Sequence, residues 1–274
     1  MRAPGWQAEL ALRYERRGTR TVLAERRHCG PMLVQKALYP EGEDVCHGIV
    51  LHPPGGIVGG DELTLQVAVD AQANALLTTP GAAKWYRSAG DEARARVRFD
   101  VAQSASLEWL PQPTIAFDRV LGRSQWEIAV DADGRYIGWE VLCLGRTASG
   151  ERLRAGRWLT ATQVTRAGMP LWIERASIEG GSRLLDSPLG LDGQPVSGTL
   201  VAVARDIKPE VVTACRSIHP VSGRGAVTRL PGLMVARYLG DRAEAAFGYF
   251  VRLWEVLRPA LLDREAAPPR IWRT

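Results

Sequence analysis

A chain of 274 residues, 46% hydrophobic and 24% charged, is large enough to bury its own core, which excludes a disordered chain and one that needs disulfide staples. Its formal net charge is +5, and its 35 basic residues, all Arg except Lys36, Lys84 and Lys208, contain no run of five, which argues against a nucleic-acid interface. No stretch reaches 18 uninterrupted apolar residues, and Glu9, Arg13, Glu15 and Arg16 interrupt the N-terminal segment before any signal-peptide core, so the expectation is a cytoplasmic protein.

In chain order, the first clear element is Leu63, Leu65, Val67 and Val69, which alternate with polar or small residues. Ala95, Val97, Phe99 and Val101 do the same between arginines, and Trp126, Ile128 and Val130 follow. Period-two alternation predicts half-buried strands, each with one wet face. Turn signals at Pro53-Pro54-Gly55-Gly56, Asp133-Gly134, Ala167-Gly168 and Pro231-Gly232 punctuate them, and the segments flanking Ala167-Gly168 read as a hairpin. Helical spacing enters late. Pro209 opens a segment carrying Val211, Ala214, Cys215 and Ile218 on one face. A second helix starts after Asp241 as N-cap, carries Phe247, Phe250, Trp254 and Leu257, and should stop before Pro259. The predicted fold is mainly β, with layered antiparallel sheets, a β-sandwich or a β-helix-like stack, and about two α-helices in one domain spanning 1–274.

Catalytic signatures are sparse. The glycines of His52-Pro53-Pro54-Gly55-Gly56-Ile57-Val58-Gly59-Gly60-Asp61 lack the Gly-Lys-Ser/Thr ending of a phosphate loop and precede a strand instead of a helix. They fit a bend that needs positive φ and close backbone approach, with Asp61 capping a turn or facing a polar channel. Ser88 has no nucleophile elbow, and His28, His47, His52 and His219 stand in no hydrolase context. The cysteines at 29, 46, 143 and 215 form no C-x-x-C pair, which points to reduced thiols. His28-Cys29 and Cys46-His47, with His52 close behind, have the softness for nickel, but adjacent residues of a strand face opposite ways, and ordinary structural roles suit them equally. Transient oxygen ligands are better sought among Asp44, Asp61, Glu140 and Glu174.

Several stretches, taken together, resemble the UreD family (UreH in some organisms) of urease accessory proteins. They are residues 52–61; Thr78-Thr79-Pro80-Gly81-Ala82 with Lys84 and Tyr86-Arg87-Ser88; Leu107-Glu108-Trp109-Leu110-Pro111-Gln112; Trp139-Glu140; Leu144-Gly145-Arg146 and Gly150-Glu151; Arg237-Tyr238-Leu239; Trp254 with Leu257-Arg258-Pro259; and the terminal Pro269-Arg270-Ile271-Trp272-Arg273-Thr274. They run collinearly from about residue 6 to the end. Ala83 and Glu140 depart mildly from the pattern.

The resemblance implies a β-rich, non-catalytic adaptor that binds UreF, recruits the GTPase UreG through it, and docks on apo-urease. It also implies that nickel passes through an internal channel toward the urease site, with nothing tightly bound. On that expectation Asp61, Glu140, Glu174 and Asp44 line the path, and His52, Cys46 and His47 are possible transient ligands. Trp254, Arg258, Ile271 and Trp272 are the candidate partner contacts, because Trp and Arg are favoured at interface hot spots. The alternative is a purely structural assembly module with no nickel path.

Overall fold

A computed structural model describes residues 5–273; residues 1–4, on which the N-terminal expectation partly rests, and Thr274 of the terminal motif lie outside the described residues. The chain begins with strands β1 (Gln7–Arg17), β2 (Arg20–Cys29), β3 (Leu33–Val34), β4 (Cys46–Leu51), β5 (Glu62–Val69), β6 (Asn74–Thr78), β7 (Ala83–Trp85), β8 (Ala93–Val101) and β9 (Ser106–Leu110). There follow β10 (Thr114–Ala116), β11 (Leu121–Val130), β12 (Arg135–Leu144), β13 (Arg157–Arg166) and β14 (Met169–Glu179). The one-turn helix α1 (Arg183–Asp186) precedes β15 (Val196–Val203), α2 (Pro209–Arg216), β16 (Arg224–Leu230), β17 (Leu233–Gly240) and the long helix α3 (Ala243–Leu262).

The mainly β, layered expectation is met in its β-helix-like form. One layer has the order β14-β13-β11-β8-β5-β1-β2, the other β16-β17-β15-β12-β9-β6-β4-β3. From β4 to β13 the chain alternates between layers, so each strand pairs with one a full coil away, running the same direction. The ladders β1–β5, β5–β8, β8–β11 and β11–β13 are therefore parallel, as are β4–β6, β6–β9 and β9–β12. Antiparallel pairing is confined to the ends, in β1–β2, β13–β14, β3–β4 and the run β12-β15-β17-β16. The expected antiparallel direction fails in the middle because period-two alternation fixes which face is wet and carries no information about a partner's direction.

The first layer keeps one face in water. Leu63, Leu65, Val67 and Val69 are buried while Gln66 between them is exposed. The second layer is covered twice: Leu107, Tyr136, Val201 and Val235 meet the first layer, while Ile137, Trp139, Leu200 and Ala236 meet α2 and α3. Its strands β6 and β9 are accordingly buried at every position. Ala167 (φ 47°) and Gly168 (φ 78°) supply the two left-handed residues of the expected hairpin. The long helix begins at Ala243, with Arg242 and not Asp241 at its N-cap, and runs through Pro259 to Leu262. Pro259 removes one N–H in the last turn, and Glu255, whose carbonyl loses that donor, lies on the exposed side of the helix, open to solvent.

A candidate site between the layers

The residue 52–61 loop and the 83–88 segment, far apart in sequence, fold onto each other. The Ile57 N–H donates to the Lys84 carbonyl and the Tyr86 N–H to the Ile57 carbonyl, each at 2.8 Å. A Cβ at Gly56 would lie 2.0 Å from the Tyr86 ring, and one at Gly59 would lie 2.6 Å from the Ser88 hydroxyl, so both positions need glycine for close approach. Ser88 itself is a turn residue, donating to the Asp91 carbonyl and accepting from the Gly90 N–H. These loops, with His52, Thr79 and Ala83, border a cavity of about 420 Å³ between the layers. A second inter-layer cavity of about 370 Å³ lies beside it, and the two share Trp126, Glu140 and Trp158 as wall.

Strand parity places the polar groups of this space. On β12 the positions Tyr136, Gly138, Glu140 and Leu142 face inward and alternate with Ile137, Trp139 and Val141, which face the helices. Glu140 is thus the charged member of the inward row. Its register neighbours are Thr199 on β15 and, one strand further, Arg237 on β17. The Arg237 Nη1 donates to the Thr199 Oγ1 at 2.6 Å, its Nη2 pairs with Glu174 of β14 in the opposite layer, and its guanidinium lies 5.3 Å from the Trp172 ring centroid. A polar row therefore crosses from Glu140 through Thr199 and Arg237 to Glu174.

The Glu140 carboxylate has no hydrogen-bond or ion-pair partner among the described residues, and the surface it retains faces the enclosed space. Burial, reinforced by the charge of Glu174, pushes it up to about 7. A carboxyl strongly perturbed by desolvation and a specific neighbour, placed in a cavity, is the pattern of a functional group. His52 borders the 420 Å³ cavity, and burial pushes its imidazole below the ordinary value while Asp61 pulls the other way. Among the described residues, no three His, Cys, Asp or Glu side chains gather as a metal cage.

The remaining candidates are engaged elsewhere. Asp61 lines neither cavity; it is buried, accepting the Trp6 N–H at 2.8 Å and the Val58 N–H at 2.9 Å, so its turn-capping role is the one present. Asp44 is held by Arg16, by Arg264 at 2.7 Å and by Asn74; burial pushes its carboxyl up, but the Arg16 and Arg264 hydrogen bonds outweigh it and hold it below the ordinary value. Cys46 and His47 face opposite ways, as strand geometry demands. Cys46 sits in the inter-layer core, where burial raises its thiol, and His47 pairs with Glu41. Trp254 and Arg258 have no exposed surface and cannot be direct partner contacts. Both grip Glu108, Arg258 at 3.1 Å, because α3 turns its wide apolar face onto the sheet. Trp272 remains partly exposed, although its indole N–H is tied to the Thr78 hydroxyl at 2.9 Å; Ile271 is likewise half-buried.

Sequence reasoning had Glu140 and Glu174 and missed Arg237 and Thr199 as their companions. The available signal was parity: Arg237 interrupts the apolar row Leu233, Val235, Leu239 on β17.

The family model described as UreD urease accessory protein matches residues 7–273. A urease accessory protein UreD of Azoarcus sp. is 52% identical over 271 residues, covering 99% of this chain and 95% of the relative. Those of Dechloromonas aromatica and Pseudomonas aeruginosa are 51% and 48% identical, each over 99% of this chain and 96% of the relative.

Proposed function

The chain belongs to the UreD urease accessory protein family, a family of accessory proteins and not of enzymes, and from that premise we propose that it serves urease maturation as an adaptor whose inter-layer cavities are a path for nickel. In this reading it joins apo-urease to UreF and, through UreF, to UreG, in the cytoplasm, and holds nickel only in transit. The carrying observation is the row from Glu140 to Glu174 along two adjoining cavities. A hydrated divalent ion cannot cross an apolar core without replacement ligands, since bare burial of charge is prohibitive. Spaces of 370 and 420 Å³ hold several waters, and carboxylate oxygens along the wall exchange for them one at a time. Singly spaced oxygen ligands release an ion more readily than a closed cage of thiolates and imidazoles.

The experiment is urease activation with Glu140→Leu and the bulkier Glu140→Trp, reading the nickel content of urease while confirming that the variants still co-purify with UreF and apo-urease. Nickel loading should fall with assembly intact. Normal loading in both variants would remove the cavity from the nickel route and leave the assembly module, a reading favoured by the exposure of Met169, Ile173, Leu189 and Val221.

A further inference from the structure

The outer mouth of the 370 Å³ cavity lies where the edge strand β14 of one layer faces β15 and β17 of the other. No ladder joins the layers there. What spans the gap is Arg237: it hydrogen-bonds Thr199 on its own layer, pairs with Glu174 across the opening, and lies over Trp172 beside it. The Arg237 and Glu174 side chains are 42% and 35% exposed, so the pair can be reached from solvent, whereas Glu140, in register with Thr199 on the far side, faces the enclosed space.

We propose that Arg237 is the charge gate of this mouth, closing the gap by holding Glu174 and setting a fixed positive charge in the way of free cations. The inference rests on the reading of the cavities as an ion path, and it names the residue that decides what enters. An ion pair this exposed is weakly held, so it opens and recloses easily. A monovalent cation gains too little from Glu174 to displace a guanidinium already bonded to it. A divalent cation, with twice the charge, competes for the same oxygens and moves toward Glu140 once it has them. Guanidinium suits the task because it cannot lose its proton, so the barrier persists at every physiological pH, and its planar fork bonds Thr199 and Glu174 together.

The test uses the full chain, no metal and a reporter thiol. In a Cys29→Ser background, which removes the exposed cysteine, Ser197→Cys places a thiol on the cavity wall. Its rate of reaction is measured with a cationic and an anionic methanethiosulfonate reagent of matched size. Arg237→Gln should speed the cationic reagent by about tenfold relative to the anionic one, because a unit charge has left the mouth. Arg237→Lys keeps the charge and should hold the cationic rate near that of the parent chain, and it also serves if the Gln variant folds poorly. Equal acceleration of both reagents by Arg237→Gln, no acceleration of either, or a Lys variant as fast as the Gln variant would overturn the proposal. These rates are independent of nickel. A failure of the path would appear instead as normal urease loading by the Glu140 variants.

Discussion

Two glutamates on adjacent strands of the second layer, Glu108 fully buried and Glu140 half-buried, have been treated in opposite ways. Glu108 on β9 points to the helix side, where the Trp254 indole and the Arg258 guanidinium both donate to it. Arg258 also pairs with Glu41 at 2.6 Å, and Glu41 with His47, so the network ties the residue 41–47 segment, the sheet and α3 into one dry lock. Glu140 on β12 points to the other face, toward the cavities, with no such partner among the described residues. A buried carboxylate given every partner it can use is holding the fold together. The one left without them, at a cost in stability, is the carboxylate on which the proposed ion path depends.

The largest test of that contrast is Arg258→Ala, which strands Glu108 and Glu41 in the interior. Loss of one partner from a buried ion pair costs about 3–5 kcal/mol, to be read as a lower urea midpoint at unchanged slope. Glu140→Gln should move stability the other way. The folded chain binds the Glu140 proton more tightly than the unfolded chain does, so parent stability falls as pH rises from the ordinary value of 4.5 to about 7, and is level above. A shift from 4.5 to 7 corresponds to roughly 3 kcal/mol at most, discounted to about 1–3 kcal/mol for cavity water. The Gln variant should therefore be more stable than the parent by about that amount above pH 7, with the advantage gone below pH 4.5. Urea titrations of both chains across that range decide it, and a pH-independent difference would mean that Glu140 is solvated like a surface residue.

Smaller effects sharpen the boundary between lock and path. Trp272→Phe keeps the packing against Phe247 and Trp254 but leaves the Thr78 hydroxyl without the indole N–H. It should cost about 0.5–1.5 kcal/mol in thermal unfolding. Glu174→Gln, at the exposed mouth, should change stability by no more than about 1 kcal/mol. If Glu174→Gln proved as damaging as Arg258→Ala, the mouth pair would belong with the lock.

Much of the molecule was legible in the sequence. The alternation at 63–69, 95–101 and 126–130 fixed strands and wet faces, Ala167-Gly168 fixed a hairpin, and the aromatic spacing from Phe247 to Leu257 fixed a helix. Collinear motifs pointed to the family, and Glu140 and Glu174 stood out as acids beside a family motif or inside an otherwise apolar strand. All of these are local signals, set by the two-residue and 3.6-residue repeats of the backbone. Tertiary structure alone decided the rest: that the central strands run parallel, that Asp44 and Asp61 are already occupied, that Trp254 and Arg258 turn inward, and that Arg237 meets Glu174 across the layers. Each depends on a partner dozens of residues away, and a residue's own repeat says which face it occupies but not what stands opposite.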